Sequence, residues 1–285
     1  MTLNLPISIR GASIVLTLLL TGTSNAASLK PQSIEAFSRH LCQLGPEAEP
    51  EAAARAESPW STASAEIKRR IADGEIEVRP ASGNGATNVP GGLVHDWTGA
   101  VFIPGVTLDE TLAAVQRYGS YRDYYSAEVL DSRLLKRDGQ NFDIYLRLRK
   151  TNIVTVVLDT EHSVRYERLD PRRAQSSSCS TRIQEVENAG KPGESLVAVG
   201  KDHGFLWRLN SYWRFEETPE GVLAESRVVA LTRGVPFGLG WLIMPIVRSL
   251  PRNSLRETLE NTRAAVLAYH DRSTVSVAKA QANAE

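Results

Sequence analysis

The sequence predicts an α+β fold in which a curved antiparallel sheet wraps around a long C-terminal helix. Two strand-length runs, GFLWRLNSYWRFEE and GVLAESRVVALT, occupy Gly204 to Thr232. A helical pattern, SLRETLENTRAAVLAYH, closes the tail that follows them. A sheet with one apolar face must bury that face against another layer, and the helix after the last strand provides one.

Composition limits the possible functions. The chain has 285 residues, 42% apolar and 23% charged, which is typical of one globular domain with accessory segments. Lys and Arg number 33 and Asp and Glu number 33, so no basic face is available for a nucleic-acid partner. The five histidines show no metal-binding spacing, and we expect neither a metal site nor a cofactor.

The first 26 residues have the pattern of a secretory signal. Arg10 is the only charge before Lys30, the run Ile14 to Leu20 is apolar, and Ser24-Asn25-Ala26 offers a small-residue cleavage site. The alternative is an uncleaved anchor, but the apolar run is shorter than the roughly 20 residues that span a bilayer. We therefore expect cleavage after Ala26 and a periplasmic or secreted protein.

Two cysteines, Cys42 and Cys179, lie far apart in the sequence. In an exported protein an even number of cysteines permits a disulfide but does not demonstrate one. The sequence leaves both interpretations open, a Cys42–Cys179 bond or two buried free thiols.

Residues 27–92 are expected to form an accessory helical region and linker. Helical patterns occur near Ile34 to Leu44 and near Ala63 to Ala72, and the loop-like RPASGNGATNVPGG follows them. The main domain is expected over residues 93–270. The small, polar residues 271–285 are expected to form a flexible tail.

The main domain opens with a strand over Leu93 to Ile103 and a helix that starts at Thr107 or Asp109. A second short helix presents Tyr118, Tyr121 and Tyr125 on one face. Further strands are predicted over Ala127 to Lys136, Asn141 to Lys150, Ile153 to Asp159, Ser163 to Leu169 and Ser178 to Val186.

Alternation assigns the faces of these strands, because successive side chains point to opposite sides of a sheet. One strand has an apolar face of Phe142, Ile144, Leu146 and Leu148, and another has Phe205, Trp207, Leu209, Trp213 and Phe215. The last strand offers the smaller Ala224, Ser226, Val228 and Ala230. Small side chains opposite large aromatic ones either accept a close helix or leave usable space.

The C-terminal tail is predicted to be helical in two parts, divided by Pro245 and Pro251. The second part has a core-facing stripe of Leu255, Leu259, Thr262, Val266 and Tyr269. The uncharged run Val235 to Val247 is either packed in the core or a lipid-touching portal with transient membrane contact.

Residues 93–270 resemble the START-like, helix-grip superfamily, also called SRPBCC. The resemblance rests on the strand order, on the opening HDWTGAVFIPGVTLDETLAAVQRYGSY, and on GFLWRLNSYWRFEE leading into the helical tail. More closely, the chain resembles a group of uncharacterised exported bacterial proteins. The superfamily includes lipid-transfer domains, polyketide cyclases and aromatases, and ubiquinone-binding proteins. The resemblance implies a seven-stranded sheet around a long helix with a deep pocket between them.

The function expected is binding or transport of a hydrophobic small molecule or lipid in that pocket. Its walls are predicted to include Tyr125, Ile144, Leu146, Trp207, Leu209, Trp213, Val228 and Trp241. The alternatives are a cyclase- or aromatase-like enzyme and a structural protein with a solid core. Acid–base candidates for an enzyme are His95, Asp96, His162 and Glu225, but the context of each is weak. His162, in DTEHSV, is expected in a loop between two strands, so no catalytic residue is assigned.

Overall fold

The structure is a computed structural model that describes residues 29–43, 60, 63–81, 83–125, 127–151, 155–198, 201–234 and 240–282. Side chains are described throughout these ranges except at residues 42–43, 240–249 and 276–282. The predicted signal segment and residues 235–239 therefore lie outside the description, as do the side chains of the rest of the run Val235 to Val247 and the side chain of Cys42.

The described helices are α1 (Pro31–Gln43), α2 (Ala65–Ala72), α3 (Leu108–Val115), α4 (Tyr121–Tyr124) and α5 (Gly240–Ala282), with a 3-10 turn over Tyr118–Ser120. The strands are β1 (Glu77–Pro80), β2 (Ala86–Val89), β3 (Gly92–Pro104), β4 (Val129–Asp138), β5 (Asn141–Thr151), β6 (Thr155–Asp170), β7 (Arg173–Glu187), β8 (Ser195–Leu196), β9 (Arg208–Thr218) and β10 (Gly221–Arg233).

All the strands join one antiparallel sheet in the order β1-β3-β10-β9-β7-β6-β5-β4, with β2 also paired to β3 and β8 to β7. Helix α5 lies against β3, β1 and β10. We call the sheet face toward α5 the inner face and the opposite one the outer face. The upper end of the sheet is where β3 leads into α3, and the lower end is where β10 leads toward α5. The predicted α+β helix-grip architecture is confirmed.

Helix α3 lies at the upper end of the sheet, and its first turn is capped both by its own residues and by a residue of the sheet. The Thr107 side chain accepts a hydrogen bond from Glu110 N, and the Glu110 carboxylate accepts one from Thr107 N at 2.9 Å. Leu108 N donates to the carboxylate of Glu217 on β9, at 2.5 Å. The helix begins at Leu108, between the two predicted start residues, Thr107 and Asp109. The bond from Leu108 N to Glu217 ties the helix to the sheet.

The closest approach of α5 to the sheet is at Gly99 of β3. A Cβ atom built there would lie 2.7 Å from Leu259 Cδ1 and 2.9 Å from the carbonyl oxygen of Glu77. Leu255, Leu259 and Val266 are buried along this contact. A larger residue at this position would therefore force Leu259 of α5 or the backbone of β1 to move.

Helix α1 covers part of the outer face. Phe37 packs there with Val94 and Leu231 in a second apolar cluster. His40 Nε2 lies 2.8 Å from a carboxylate oxygen of Asp96, and Arg227 donates to both oxygens of that carboxylate, at 2.9 and 2.8 Å. The accessory region is thus fastened to the sheet by apolar packing and by the bond between His40 and the buried Asp96 carboxylate, which Arg227 also binds.

The structure corrects two predictions for strands. The chain from Thr155 to Asp170 is one continuous strand, whereas the sequence suggested two strands with a loop between them. The polar pair Glu161-His162 suggested a break, but a local register shift against β7 accommodates it without one. The predicted linker before residue 92 also contains β1 and β2, which extend the sheet beyond β3.

The C-terminal helix is longer than predicted. The backbone of α5 is continuous through Pro245 and Pro251, so neither proline divides the helix as the sequence predicted. The helix also continues to Ala282, where a flexible tail was expected. Residues 271–282 contain no Gly or Pro, and the hydroxyls of Ser273 and Thr274 bond back to the His270 carbonyl oxygen. No helix of the described part is long and apolar enough to cross a membrane.

Cys179 is a free thiol and is exposed, on β7. The expectation of a buried thiol is therefore wrong for this residue. The state of Cys42 lies outside the described side chains.

Replacing Gly99 with valine tests the close contact between α5 and β3. The added methyl groups would force helix and strand apart, and overpacking of this kind costs about 1 to 3 kcal/mol of unfolding free energy. Urea unfolding followed by circular dichroism measures the change. The matched control is Gly119→Ala, since a Cβ at Gly119 meets nothing within 4 Å. Equal stability of both variants and the parent would contradict the contact.

Candidate functional site

The strand registers bring one row of inner-face residues together across the middle of the sheet. Val228 on β10 is opposite Ser211 on β9, and Ser211 is opposite Ser178 on β7. Ser178 is in turn opposite Val164 on β6, which is opposite Phe142 on β5. The inner face is therefore a continuous concave wall that faces α5.

The upper part of this wall is filled by the protein's own side chains. The Tyr118 ring lies 5.5 Å from that of Phe142, and the Phe142 ring lies 5.6 Å from that of Tyr166. The hydroxyls of Tyr118 and Tyr166 are 2.9 Å apart and hydrogen-bonded. Phe215 and Val222 are also buried there. No ligand is needed to complete the packing at this end.

The middle and lower parts of the wall are packed less completely. Leu146, Ser178, Ser211, Trp213 and Val228 lie on the inner face yet remain only half-buried. Interior side chains normally pack to crystal-like density, so accessible surface on the concave side of a sheet marks space that the protein leaves unfilled. This region is the candidate site.

The opposite wall of the candidate site comes from α4 and α5. The rings of Tyr121 and Tyr125 stack with centroids 4.9 Å apart, and both residues are half-buried. Tyr125 OH bonds to Thr262 Oγ1 at 2.7 Å, and burial raises the pKa of Tyr125. Along α5 the hydroxyl of Thr258 bonds back to the Ser254 carbonyl oxygen. This wall offers neutral hydroxyl groups.

His162 lies on the inner wall and not in a loop, which corrects the sequence prediction. It sits within β6, opposite Ile144 of β5, and is 4% exposed. Its Nε2 atom lies 3.1 Å from Thr160 Oγ1. Burial lowers the pKa of His162 to about 4, so the imidazole is neutral at physiological pH.

A second histidine, His95 of β3, has a similar environment on the inner face. It is 2% exposed, and its Nε2 atom lies 3.1 Å from Thr232 Oγ1. Its Nδ1 atom is buried without a hydrogen-bond partner in the described part of the structure. Burial lowers the pKa of His95 to about 4, so this side chain is also neutral.

Charged side chains at the lower end of the site are bonded to neighbouring segments of the protein. Lys150, at the end of β5, donates to Ser254 Oγ of α5 at 2.5 Å and forms an ion pair with Glu128. On β7, the Glu185 carboxylate accepts hydrogen bonds from His203 N at 3.0 Å and from Phe205 N at 3.2 Å. These contacts fix α5 and the segment before β9 relative to the sheet.

Two of the other acid–base candidates lie on the outer face. Burial alone would raise the pKa of Asp96, but the hydrogen bonds from Arg227 and His40 outweigh it and hold that pKa below its ordinary value. Glu225 is buried on the same face of β10 as Arg227. Neither carboxylate faces the candidate site. The described residues contain no group of three or more His, Cys, Asp or Glu that could hold a metal ion.

The structure brings most of the predicted wall residues together. Ile144 lies in the main core cluster, and Leu146, Trp213 and Val228 pack against it. Tyr125 reaches the same space from the opposite side, as its stacking on Tyr121 and its bond to α5 show. Leu209 is half-buried on the inner face, opposite Ala230.

Trp207 is not brought to this wall. It packs with Phe37, Val94 and Leu231 in the cluster under α1, and its Nε1 atom donates to Asp202 at 2.7 Å. Strand β9 begins only at Arg208, so alternation counted back to Trp207 does not apply. The prediction for Trp241 falls outside the described side chains.

The inner-face residues that sequence analysis missed are Ser178, Ser211, Thr160 and His162. Small polar side chains give no hydrophobic period, so alternation alone does not select them. The signal that identifies them is strand register, which places Thr160, His162 and Ser211 beside the apolar residues Leu146, Ile144 and Val228, and Ser178 beside Ser211.

The strand order, the α3–α4 insertion after β3 and the long helix across the concave face define the START-like helix-grip fold. No family model matches the sequence, and no curated protein matches it.

Solved structures similar to the chain include human STARD10, with 10% identity over 70% of this chain and 80% of that one and a TM-score of 0.42. A STAR-related lipid transfer protein from Xanthomonas axonopodis is 17% identical over 62% and 99%, with a TM-score of 0.37. The Zhui aromatase/cyclase from Streptomyces sp. R1128 is 10% identical over 61% and 93%, with a TM-score of 0.40.

The two buried histidines predict loss of stability in mild acid. The unfolded chain protonates each near pH 6.5, whereas the folded protein resists protonation down to about pH 4. Acidification between these values therefore favours unfolding, by up to about 1.4 kcal/mol per pH unit for each histidine.

Urea unfolding at pH 7, 6 and 5 measures this slope. The comparison is with His162→Gln, which cannot titrate and should have a slope lower by up to about 1.4 kcal/mol per pH unit. Because all other groups are shared, an identical slope in the two proteins would show that His162 is not buried in its neutral form.

Proposed function

We propose that the protein binds or transports a hydrophobic small molecule or lipid between the inner face of the sheet and α5. The observation that carries the proposal is the half-buried state of the inner-wall side chains Leu146, Trp213 and Val228. A folded protein gains about 25 cal/mol for each Å² of apolar surface removed from water, so unfilled apolar surface favours an apolar occupant.

The shape of the wall supports a ligand with flat or extended apolar parts. The half-buried ring of Trp213 offers a flat aromatic surface, and the buried ring of Phe215 lies nearly parallel to it, at 5° with centroids 5.8 Å apart. On the neighbouring strand Trp213 is opposite the small Ser226, and Val228, two residues from Ser226, is half-buried. Full burial of an aliphatic or aromatic side chain by a ligand is worth about 1.5 to 3 kcal/mol.

We further propose that the protein acts outside the cytoplasm, in the periplasm or as a secreted protein. Support comes from the sequence pattern of residues 1–26, with its short apolar run and small-residue cleavage site. Mass spectrometry of the N-terminus after expression with the full chain tests the proposal: a mature chain that begins at Ala27 is expected, and retention of Met1 would contradict it.

We propose that the ligand enters at the lower end, through transient membrane contact. Three exposed apolar side chains, Leu196, Phe205 and Leu250, are 44%, 41% and 37% exposed and belong to segments at that end. In the sequence, the uncharged run Val235 to Val247 follows β10, whose last residue, Arg233, lies at that end. Exposed apolar groups of this kind mark surfaces for lipid or protein contact.

A second candidate function is a cyclase-like enzyme on the same scaffold. The observation that favours it is His162, a neutral and buried imidazole on the inner wall. A neutral imidazole can act as a general base toward a bound substrate. The two functions differ in outcome, because a carrier returns its ligand unchanged and an enzyme releases a molecule with a different mass or absorption spectrum.

Native mass spectrometry of the gently purified protein tests the main proposal. We expect a bound apolar molecule, or, after delipidation, saturable binding of pyrene with a shift in its vibronic fluorescence bands that reports an apolar environment. A protein that carries nothing and does not bind pyrene would contradict the proposal.

Filling the candidate site should abolish binding without unfolding the protein. Leu146→Trp puts a large ring into the unfilled space, and we expect at least a tenfold loss of pyrene affinity with a small change in thermal stability. The matched control is Asp143→Trp, which adds the same ring to the exposed outer face of the same strand. Unchanged affinity in Leu146→Trp would place the binding site elsewhere.

Removing apolar groups from the lower end should weaken membrane contact. The double variant Leu196→Ser and Phe205→Ser loses two exposed side chains, and we expect severalfold weaker co-sedimentation with neutral phosphatidylcholine vesicles. Leu134→Ser is the control, because Leu134 is equally exposed, at 45%, but lies on the edge strand β4. Equal losses in both proteins would count against a specific entrance.

A further inference from the structure

We propose that the bound molecule is uncharged and carries a hydroxyl or carbonyl oxygen within its body, where Ser178, Ser211 and Ser226 form its hydrogen-bonding site. The inference rests on the proposed function, because it assigns the chemistry of a ligand in the same space. It adds a polar requirement that an apolar wall alone does not impose.

The three serines occupy adjacent strands of the inner face. Ser178 of β7 and Ser211 of β9 are directly opposite each other, and both are half-buried. Ser226 of β10 is opposite Trp213, which lies on the same face of β9 as Ser211 and two residues from it. The serines thus form one patch in the centre of the sheet, beside the aromatic surface of Trp213.

Ser226 supplies the observation that points to a ligand. It is 2% exposed, and its Oγ atom is buried without a hydrogen-bond partner in the described part of the structure. A buried hydroxyl left without a partner costs stability that an alanine would not cost. His95 Nδ1, on the inner face of the neighbouring strand, is likewise buried and unpartnered. Both atoms lie on the inner face, where hydrogen bonds from an oxygen-bearing ligand would satisfy them.

Apolar residues lie on both sides of the serine patch along the strands. Leu209 is toward the lower end of β9, and Trp213 and Phe215 are toward the upper end. A ligand lying along this wall has its polar group between two apolar parts. The site therefore fits an oxygen within the body of the molecule, whereas a simple fatty acid or phospholipid carries its polar group at one end.

Charge selects against an anionic ligand at this position. The described inner-face residues of β10 and of the central parts of β9 and β7 include no Asp, Glu, Lys or Arg. Lys150, at the lower end of β5, is already paired with Glu128. A buried carboxylate or phosphate would have no counter-charge at the serine patch, whereas hydroxyl and carbonyl groups need only the donors and acceptors that serine provides.

Three matched probes test the proposal: pyrene, 1-hydroxypyrene and pyrene-1-carboxylate, each titrated by fluorescence at pH 7. We expect 1-hydroxypyrene to bind about three- to tenfold more tightly than pyrene, as one or two added hydrogen bonds would provide. Pyrene-1-carboxylate should bind more weakly than both. Tighter binding of the carboxylate, or equal binding of pyrene and 1-hydroxypyrene, would overturn the proposal.

The variants Ser178→Ala, Ser211→Ala and Ser226→Ala should each lower the affinity for 1-hydroxypyrene by a larger factor than the affinity for pyrene. Ser177→Ala is the matched control, since Ser177 directly precedes Ser178 on β7 and lies on the outer face, opposite Tyr212. Ser226→Ala has a second readout: the ligand-free variant should be more stable than the parent, because it loses an unsatisfied hydroxyl.

Equal loss of pyrene and 1-hydroxypyrene affinity in the serine variants would show that the serines act only in packing, which overturns the proposal while the binding function stands. If none of the three pyrenes binds and no apolar molecule co-purifies, the proposed function itself fails. The two failures are therefore distinguishable.

Discussion

The contact between α5 and Gly99 determines which parts of the space between the helix and the sheet are filled by side chains. With no side chain at Gly99, Leu259 reaches the backbone of β3, and the helix is held against one side of the curved sheet. The same curvature carries β9, β7 and β6 away from the helix. Inner-face side chains on these strands therefore either are large enough to reach across the gap between sheet and helix, or remain partly accessible to solvent.

The two ends of the sheet differ in how far their side chains fill the gap between sheet and helix. At the upper end, Tyr118 and Tyr166 reach into the gap, bond through their hydroxyls and pack around Phe142, so the interior closes. Farther down, the inward positions of β7 and β9 are Ser178 and Ser211, which are too small to cross it. The aromatic cluster at the upper end and the serines farther down β7 and β9 thus place the unfilled space below that cluster, without any change in the fold.

Much of this arrangement could be predicted from the sequence, because apolar alternation is a strong signal in long strands. The inward faces of β5 and β9 follow it, and Ile144 and Trp213 lie where alternation places them. Alternation fails to predict the face of a residue where a strand is shorter or longer than the sequence pattern suggests. Trp207 precedes β9 and turns to the outer face, and His162 lies within a strand that was expected to break. Strand limits and register are set by backbone pairing with distant residues, which a single sequence does not display.

The polar residues of the inner wall define what the site can recognise. His162 and His95 are neutral because burial makes their charged forms unfavourable. A neutral imidazole resembles a serine hydroxyl in offering one donor and one acceptor without a net charge. Lys150, at the lower end of β5, is paired with Glu128. On the proposed function, such an interior would distinguish one uncharged apolar molecule from another by the position of its oxygens, because the serines and neutral imidazoles provide hydrogen bonds but no counter-charge.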